Sequence, residues 1–300
     1  MKIFYSDPFT FPLPPGHKFP LSKYALLRQR VMESGLAARH PLYLSRAVTD
    51  AEVCTVHTPA YWRDFRLGQL SEPMMRRIGL PWSPQLVQRT RHSVGGTVEA
   101  CRAAMRDGCA VNLAGGTHHA FRDHGAGYCV LNDSAVALGV LRAEGACQRA
   151  LIIDCDVHQG DGTAAIFAND PDVFTFSIHA SNNFPFRKQV SRLDIALPDG
   201  TDDFAYLKAL EEGLQYALER SRAELAIYLA GADPYRDDRL GRLALSKAGL
   251  RERDVLVLSA LHRAGIPVAI TLAGGYARHI EDTVEIHLQT IMVAETIYPS

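Results

Sequence analysis

The sequence lacks most of what marks a secreted, membrane-bound or nucleic-acid-binding chain. Its six cysteines, at positions 54, 101, 109, 129, 147 and 155, form no Cys-x-x-Cys pair. A chain of 300 residues can also build a core without covalent staples. The cysteines therefore read as reduced, mostly buried thiols. No apolar run approaches the roughly 18 residues needed to span a bilayer. The N-terminus, Met1 to Ser6, has no signal-type apolar region, so the expectation is a cytoplasmic protein with no membrane partner. An excess of one charge is missing as well: Lys+Arg 32 against Asp+Glu 33 leaves a net charge of −1. Nothing here favours electrostatic capture of nucleic acid. Linkers, repeats and low-complexity stretches are absent, and residues 1–300 read as a single domain.

What is present is a regular alternation. Apolar runs at residues 1–6, 109–113, 150–153, 173–178, 225–230 and 267–272 read as strands. Between them, residues 21–33, 85–106, 133–144, 202–220, 247–263 and 281–297 carry helical patterns. Thr49-Asp50-Ala51-Glu52 resembles a capping box, and Ser83-Pro84 an N-cap followed by proline at the first helical position. Gly95-Gly96, inside the long helical pattern, suggests close packing. Strands alternating with helices predict an α/β chain, a parallel sheet sandwiched by helices. The proline-rich segment Pro8 to Pro20 cannot be regular helix. It serves either as a loop rimming a site or as a connector.

The stretch Ala150 to Gly162 organises the rest. A buried strand ends in Asp154, Asp156 and His158 on alternate positions, which face one side if the extended backbone persists. Ligands bind at the C-terminal ends of strands in open α/β sheets. Three titratable groups there are costly to bury unless paired or bound to a metal. Other polar residues also follow strands: His118-His119, Asp161, Asp233 and Tyr276. In a parallel sheet these ends share one edge.

Five pieces in order, Gly115-Gly116-Thr117-His118-His119-Ala120, Gly127-Tyr128-Cys129-Val130-Leu131-Asn132-Asp133, Asp154 to Gly162, Gly231-Ala232-Asp233 and Gly274-Gly275-Tyr276, resemble the zinc-dependent histone deacetylase family. The resemblance runs from about residue 2 to residue 290. The Phe11 to His17 loop, the Trp82-Ser83-Pro84 helix start and the Asp-x-His-Gln-Gly spelling look most like class IV and its bacterial relatives. The resemblance implies an arginase/deacetylase fold, a single-domain three-layer α/β/α architecture with a mainly parallel central sheet. It implies a hydrolase that removes an acetyl or longer acyl group from an amine through metal-activated water.

The same resemblance implies the roles. Asp156, His158 and Asp233 would hold the metal, Zn²⁺ or, with such hard-leaning ligands, Fe²⁺ or another divalent ion. His119, paired with Asp161, would be the general base and later the acid. His118, paired with Asp154, would act electrostatically. Tyr276 would donate to the developing oxyanion, and Gly274 and Gly275 would bring backbone close to substrate. Gly127 would accept from the substrate amide, between walls formed by Tyr128, Phe184 and Leu240. A structural K⁺ would bind carbonyls of Asp154, Asp156 and His158, with Ser177 and Ile178 completing it.

Some positions depart from the family's pattern. Gln159 stands where many relatives have a second His. Pro234-Tyr235-Arg236-Asp237 is bulkier and more charged than usual and is expected near the channel mouth. A rim loop with an acidic tip is not recognisable around residues 66–84. The favoured partner is the acylated lysine of a protein, followed by an acetylpolyamine or another small acylated amine. A non-catalytic acyl-lysine or metabolite-binding module is the alternative of another class, but it would need neither a base nor an oxyanion donor. Acyl length and oligomeric state stay open at the level of sequence.

Overall fold

The computed structural model describes residues 1–299. Its eight strands are β1 (Lys2–Tyr5), β2 (Leu42–Leu44), β3 (Cys109–Asn112), β4 (Ala150–Asp154), β5 (Val173–Ala180), β6 (Leu193–Leu197), β7 (Leu225–Leu229) and β8 (Val268–Thr271). They form one sheet in the order β2-β1-β3-β8-β7-β4-β5-β6. All seven pairings are parallel. Every strand's C-terminal end therefore lies on one edge of the sheet, which is what the site requires.

The helices follow from capping and periodicity. In the first half they are α1 (Lys23–Glu33), α2 (Leu36–Arg39), α3 (Asp50–Val53), α4 (Pro59–Arg66), α5 (Glu72–Ile78), α6 (Pro84–Asp107) and α7 (Asp133–Ala143). The second half supplies α8 (Asp161–Phe167), α9 (Asp203–Ser221), α10 (Lys247–Arg263) and α11 (Ile280–Ile297). Thr49 and Glu52 close the expected capping box on α3. Ser83 caps α6 by accepting from the Leu86 N–H, with Pro84 at the start. Asn132 caps α7. The paired glycines of α6 mark a close approach: a Cβ on Gly95 would stand 1.9 Å from the Arg46 carbonyl oxygen. That segment cannot accept even alanine without the chain moving apart.

Alternation along the strands divides the core into two layers. Leu151 and Ile153 of β4, Tyr228 of β7 and Ile270 of β8 pack on one face with residues of α9, α10 and α11. Ile152, Ile227 and Ala269 face the other way, into a layer built with α6 and α7. This is the α/β/α sandwich that the sequence predicts.

Two expectations change. The sheet has two strands beyond the six apolar runs, and β1 lies between β2 and β3. The edges are β2, only three residues long, and β6, mostly half-buried. Neither carries enough contiguous apolar sequence to stand out. Finally, β4 ends at Asp154, and residues 156–158 continue as a bend rather than extended chain.

Candidate active site

The bend places its side chains by backbone hydrogen bonds, not by strand alternation. Asp154 Oδ1 accepts the N–H of Asp156 at 3.1 Å, and Asp156 Oδ1 accepts the N–H of His158 at 2.9 Å. Each acid thereby holds the residue two positions on. Asp233 follows β7 and reaches across, accepting the Val157 N–H on Oδ1 at 2.9 Å. The loop after β8 completes the enclosure: Gly274 N–H donates to Asp156 Oδ2 at 2.9 Å. A Cβ on Gly274 would lie 1.9 Å from Asp233 Oδ2, so only glycine leaves the carboxylates room.

Asp156, His158 and Asp233 offer ligand atoms that all lie within 4.8 Å of one another. His158 Nδ1 is 2.9 Å from Asp156 Oδ1 but 3.6 Å from Asp233 Oδ2, too far for a hydrogen bond. Asp233 Oδ2 is buried and has no hydrogen-bond partner. An orphaned buried carboxylate oxygen, beside a second carboxylate and an imidazole, fits a divalent cation.

Two buried histidines stand over this cluster, their ring centroids 4.1 Å apart. His118 Nδ1 meets Asp154 Oδ2 at 2.7 Å, which turns Nε2 toward the cluster, 3.7 Å from Asp156 Oδ1. His119 Nδ1 meets Asp161 Oδ1 at 2.6 Å. Asp161 is the first residue of α8, a short helix that the sequence patterning misses. Burial opposes charge on His118, but Asp154 and then Asp156 outweigh it and raise its pKa to about 9. Burial, reinforced by the neighbouring His118, lowers His119 to about 4. One imidazole of the pair is thus favoured as a cation and the other as a neutral base. Without a metal, burial also works against a charged His158, but Asp156 and Asp233 carry it up to about 10. Burial, with the Asp156 charge added, lifts Asp233 to about 7.

A cavity of about 460 Å³ opens above these groups. Gly127, Tyr128, Phe184, Leu240, Gly274 and Tyr276, all expected from sequence, line it. Gly275 does not; it lines a separate recess under the Leu13–Ser22 segment. The Phe184 ring stands edge-on to His119 at 4.9 Å, and the Tyr128 and Tyr276 rings are 6.0 Å apart. Tyr128 sits in the left-handed region with φ 66°, uncommon for a side-chain-bearing residue, so its ring direction is imposed by the backbone. Burial pushes the Tyr276 phenol well above its ordinary pKa, so it stays a donor. Phe11 and Phe19 also line the cavity, so the proline-rich segment does more than connect. Pro234 to Asp237 do not reach it: Tyr235 packs into the core, while Arg236 and Asp237 face solvent. Asp154 is paired in register with Ser177, which brings the ends of β4 and β5, including Ile178, beside the site.

Sequence reasoning misses several supporting groups. Asp238 is buried and accepts from the backbone N–H groups of Leu240 and Gly241 on one oxygen and Tyr276 on the other. Asn183 ties Leu240 to Arg242. Arg253 is fully buried beneath the ligand loops, where Nη1 donates to the Gly231 carbonyl and lies 3.5 Å from that of Cys155. A signal for Arg253 exists, since Leu250, Arg253, Asp254, Val257 and Leu261 share one helical face. Asp238, beside Asp237 in an irregular stretch, carries no such signal.

The family model for the histone deacetylase domain matches residues 17–291. The chain belongs to the histone deacetylase family. An uncharacterized protein of Picosynechococcus sp. is 44% identical over 296 residues, covering 99% of each chain. Histone deacetylase 2 of Arabidopsis thaliana is 28% identical, covering 90% of this chain and 73% of its own. The crystal structure of a histone deacetylase homologue from Aquifex aeolicus superposes with a TM-score of 0.85 at 25% identity, covering 98% of this chain and 83% of that one. The three-layer sandwich is therefore the arginase/deacetylase fold, and the chain is an amidohydrolase of the histone deacetylase family. No helix among the described residues is long and apolar enough to cross a membrane.

Proposed function

We propose that this protein hydrolyses the amide of an acylated lysine side chain in a protein, with a divalent metal, zinc first among them. The observation that carries the reading is the convergence at one cavity floor of three ligand side chains, two carboxylate-paired histidines and a phenol. A non-catalytic binder has no use for the paired bases.

Asp156, His158 and Asp233 would hold the ion, which supplies Lewis-acid polarisation at the carbonyl and a nucleophilic water at neutral pH. The chain's own groups account for the rest. His119 Nδ1 is held by Asp161, leaving Nε2 to take a proton from the attacking water and return it to the leaving amine. His118, favoured as a cation, stabilises the negative charge that develops beside it. The Tyr276 hydroxyl donates to the carbonyl oxygen as it gains charge. The Gly127 carbonyl accepts from the scissile amide N–H, and Tyr128, Phe184 and Leu240 flank the lysine stem. A structural K⁺ at the carbonyls of Asp154, Asp156 and His158, completed by Ser177 and Ile178, belongs to the same proposal, supported by the adjacent ends of β4 and β5.

The acyl chain we favour is longer than acetyl. The cavity, about 460 Å³, is lined by the apolar side chains of Phe11, Phe19, Leu86 and Val94 as well as by the residues of the metal cluster. This lining by the Phe11–Phe19 segment also supports the class IV affinity. The test is kcat/KM on one lysine peptide carrying acetyl, octanoyl or myristoyl, with and without a chelator. Chelator-sensitive hydrolysis is expected. A purified protein that cleaves none of the three, with zinc or iron restored, would refute the reading.

A further inference from the structure

The cavity's charge is unevenly placed. Among the residues lining it, the acidic ones are Asp156 and Asp233, both buried at the floor. The exposed charged residues of the lining are both cationic, Arg77 and Arg242. Arg77 stands on one side, where its carbonyl accepts the Gly127 N–H at 3.1 Å and the carbonyl of Ile78 accepts that of Tyr128 at 2.8 Å. Arg242 stands on the other: its N–H donates to Asn183 Oδ1 at 3.0 Å, next to Phe184, and Asn183 Nδ2 holds the Leu240 carbonyl at 2.6 Å. Each arginine is thus fixed by its backbone to one of the two channel walls, with its side chain exposed.

Little in the chain neutralises them. Arg77 has no carboxylate partner among the described residues. Arg242 meets only Asp199, at 3.1 Å, in a solvent-exposed pair that water and salt weaken. Arg187, next to the exposed cavity-lining Phe186, also lacks a carboxylate partner among the described residues. A mouth of one sign over low-dielectric walls concentrates ligands of the opposite sign.

Resting on the deacylase reading, we infer that the carrier of the acyl-lysine is acidic: aspartate and glutamate side chains flanking the modified lysine pair with Arg77 and Arg242. The same field repels a polycation, so acetylated polyamines and lysines in basic tails are poor substrates. A hydrogen-bonded guanidinium–carboxylate pair at the rim acts mainly on encounter and register, so discrimination appears in kcat/KM and fades with salt.

The experiment uses three peptides with the same acyl-lysine, flanked by two aspartates, two alanines or two lysines, together with N-acetylspermidine. At low salt the wild-type protein should follow the order acidic, neutral, basic, with roughly a tenfold spread from first to last. That spread should shrink at about 0.5 M salt. In the Arg77→Glu, Arg242→Glu double variant the order should invert. The single Arg77→Gln variant, with no new charge, should narrow the spread and guards against misfolding of the double variant. Equal or faster cleavage of the basic peptide or of N-acetylspermidine by the wild type overturns the inference while leaving lysine deacylation standing. Failure on every peptide, the neutral one included, overturns the deacylase reading and this inference with it.

Discussion

Asp238 Oδ2 accepts the backbone N–H of Tyr276 at 2.6 Å. The other oxygen of the same carboxylate holds the N–H groups of Leu240 and Gly241. One buried side chain therefore holds the backbone of Tyr276, the proposed oxyanion donor, and of Leu240, a proposed wall of the lysine channel. Asp238→Ala should strip three backbone donors of their acceptor, that of Tyr276 buried and those of Leu240 and Gly241 partly so. A loss of stability of about 1–3 kcal/mol is expected, read by urea unfolding. At temperatures where the variant is folded, kcat should fall more than KM rises, with metal content unchanged. Wild-type kcat in a folded variant would show that Asp238 does not position Tyr276.

His119→Ala removes the neutral imidazole held by Asp161. The expected loss in kcat is about 10²–10⁴-fold, the range for a general acid–base group. The variant should still take up one equivalent of metal, because His119 is not among the three ligand side chains. A rate within a fewfold of wild type would move the base elsewhere.

Metal affinity should depend on pH, with a sign fixed by the ligands' protons. In the metal-free site His158 is pushed up to about 10 and Asp233 to about 7. Between these values an incoming cation must displace the His158 proton, so apparent affinity should rise about tenfold per pH unit. Below about 7 Asp233 also carries a proton, and the slope should steepen. Above about 10 it should flatten. Competition with a chelator of known affinity, across pH, measures all three regimes; a slope of zero from pH 7 to 9 would contradict the ligand set.

Gly274→Ala tests how tightly the carboxylates are enclosed. The added methyl would fall 1.9 Å from Asp233 Oδ2 and 2.6 Å from Asp156 Oδ2. The loop must retreat, the Gly274 N–H must leave Asp156, and metal occupancy and activity should fall together. Full occupancy after dialysis against a weak chelator would show that the loop yields without disturbing the ligands.

The ends of the buried strands were legible because burial forces an explanation on polar residues. Asp154, Asp156, His158 and Asp233 follow runs of Ile, Leu and Ala, and the five motifs in order point to one family. The long helices were legible for the same reason, with Ser83 marking the start of α6, and Thr49 marks the start of the short α3. What stayed hidden obeys other rules. Residues 156–158 leave the strand because the amides of Asp156 and His158 are taken by the acid two positions before each, and that of Val157 by Asp233, which periodicity does not express. Helix α8 opens inside the motif itself, so glycines at 160 and 162 suggest a turn where a helix begins. Asp238 accepts backbone N–H groups and Asn183 bridges a backbone N–H and a carbonyl, roles with no spacing requirement. Tyr235 reads as a bulky intrusion at the channel mouth, yet it lies on the core side of its loop.

The buried guanidinium of Arg253 has a consequence for the protein before any ion arrives. Its contacts run to the carbonyls of Cys155 and Gly231, one residue before Asp156 and two before Asp233. Asp254 neutralises it from the same helix and is in turn held by Tyr228 and Thr290. Both ligand-bearing bends are thus riveted to α10 and α11 by groups that do not depend on a metal. Ordering of the three candidate donors would then be complete on folding, and the proposed ion would enter a preformed site. Chelation should then leave a folded apoprotein that exchanges one divalent cation for another without passing through an unfolded state, and its activity would report which cation the surroundings supply.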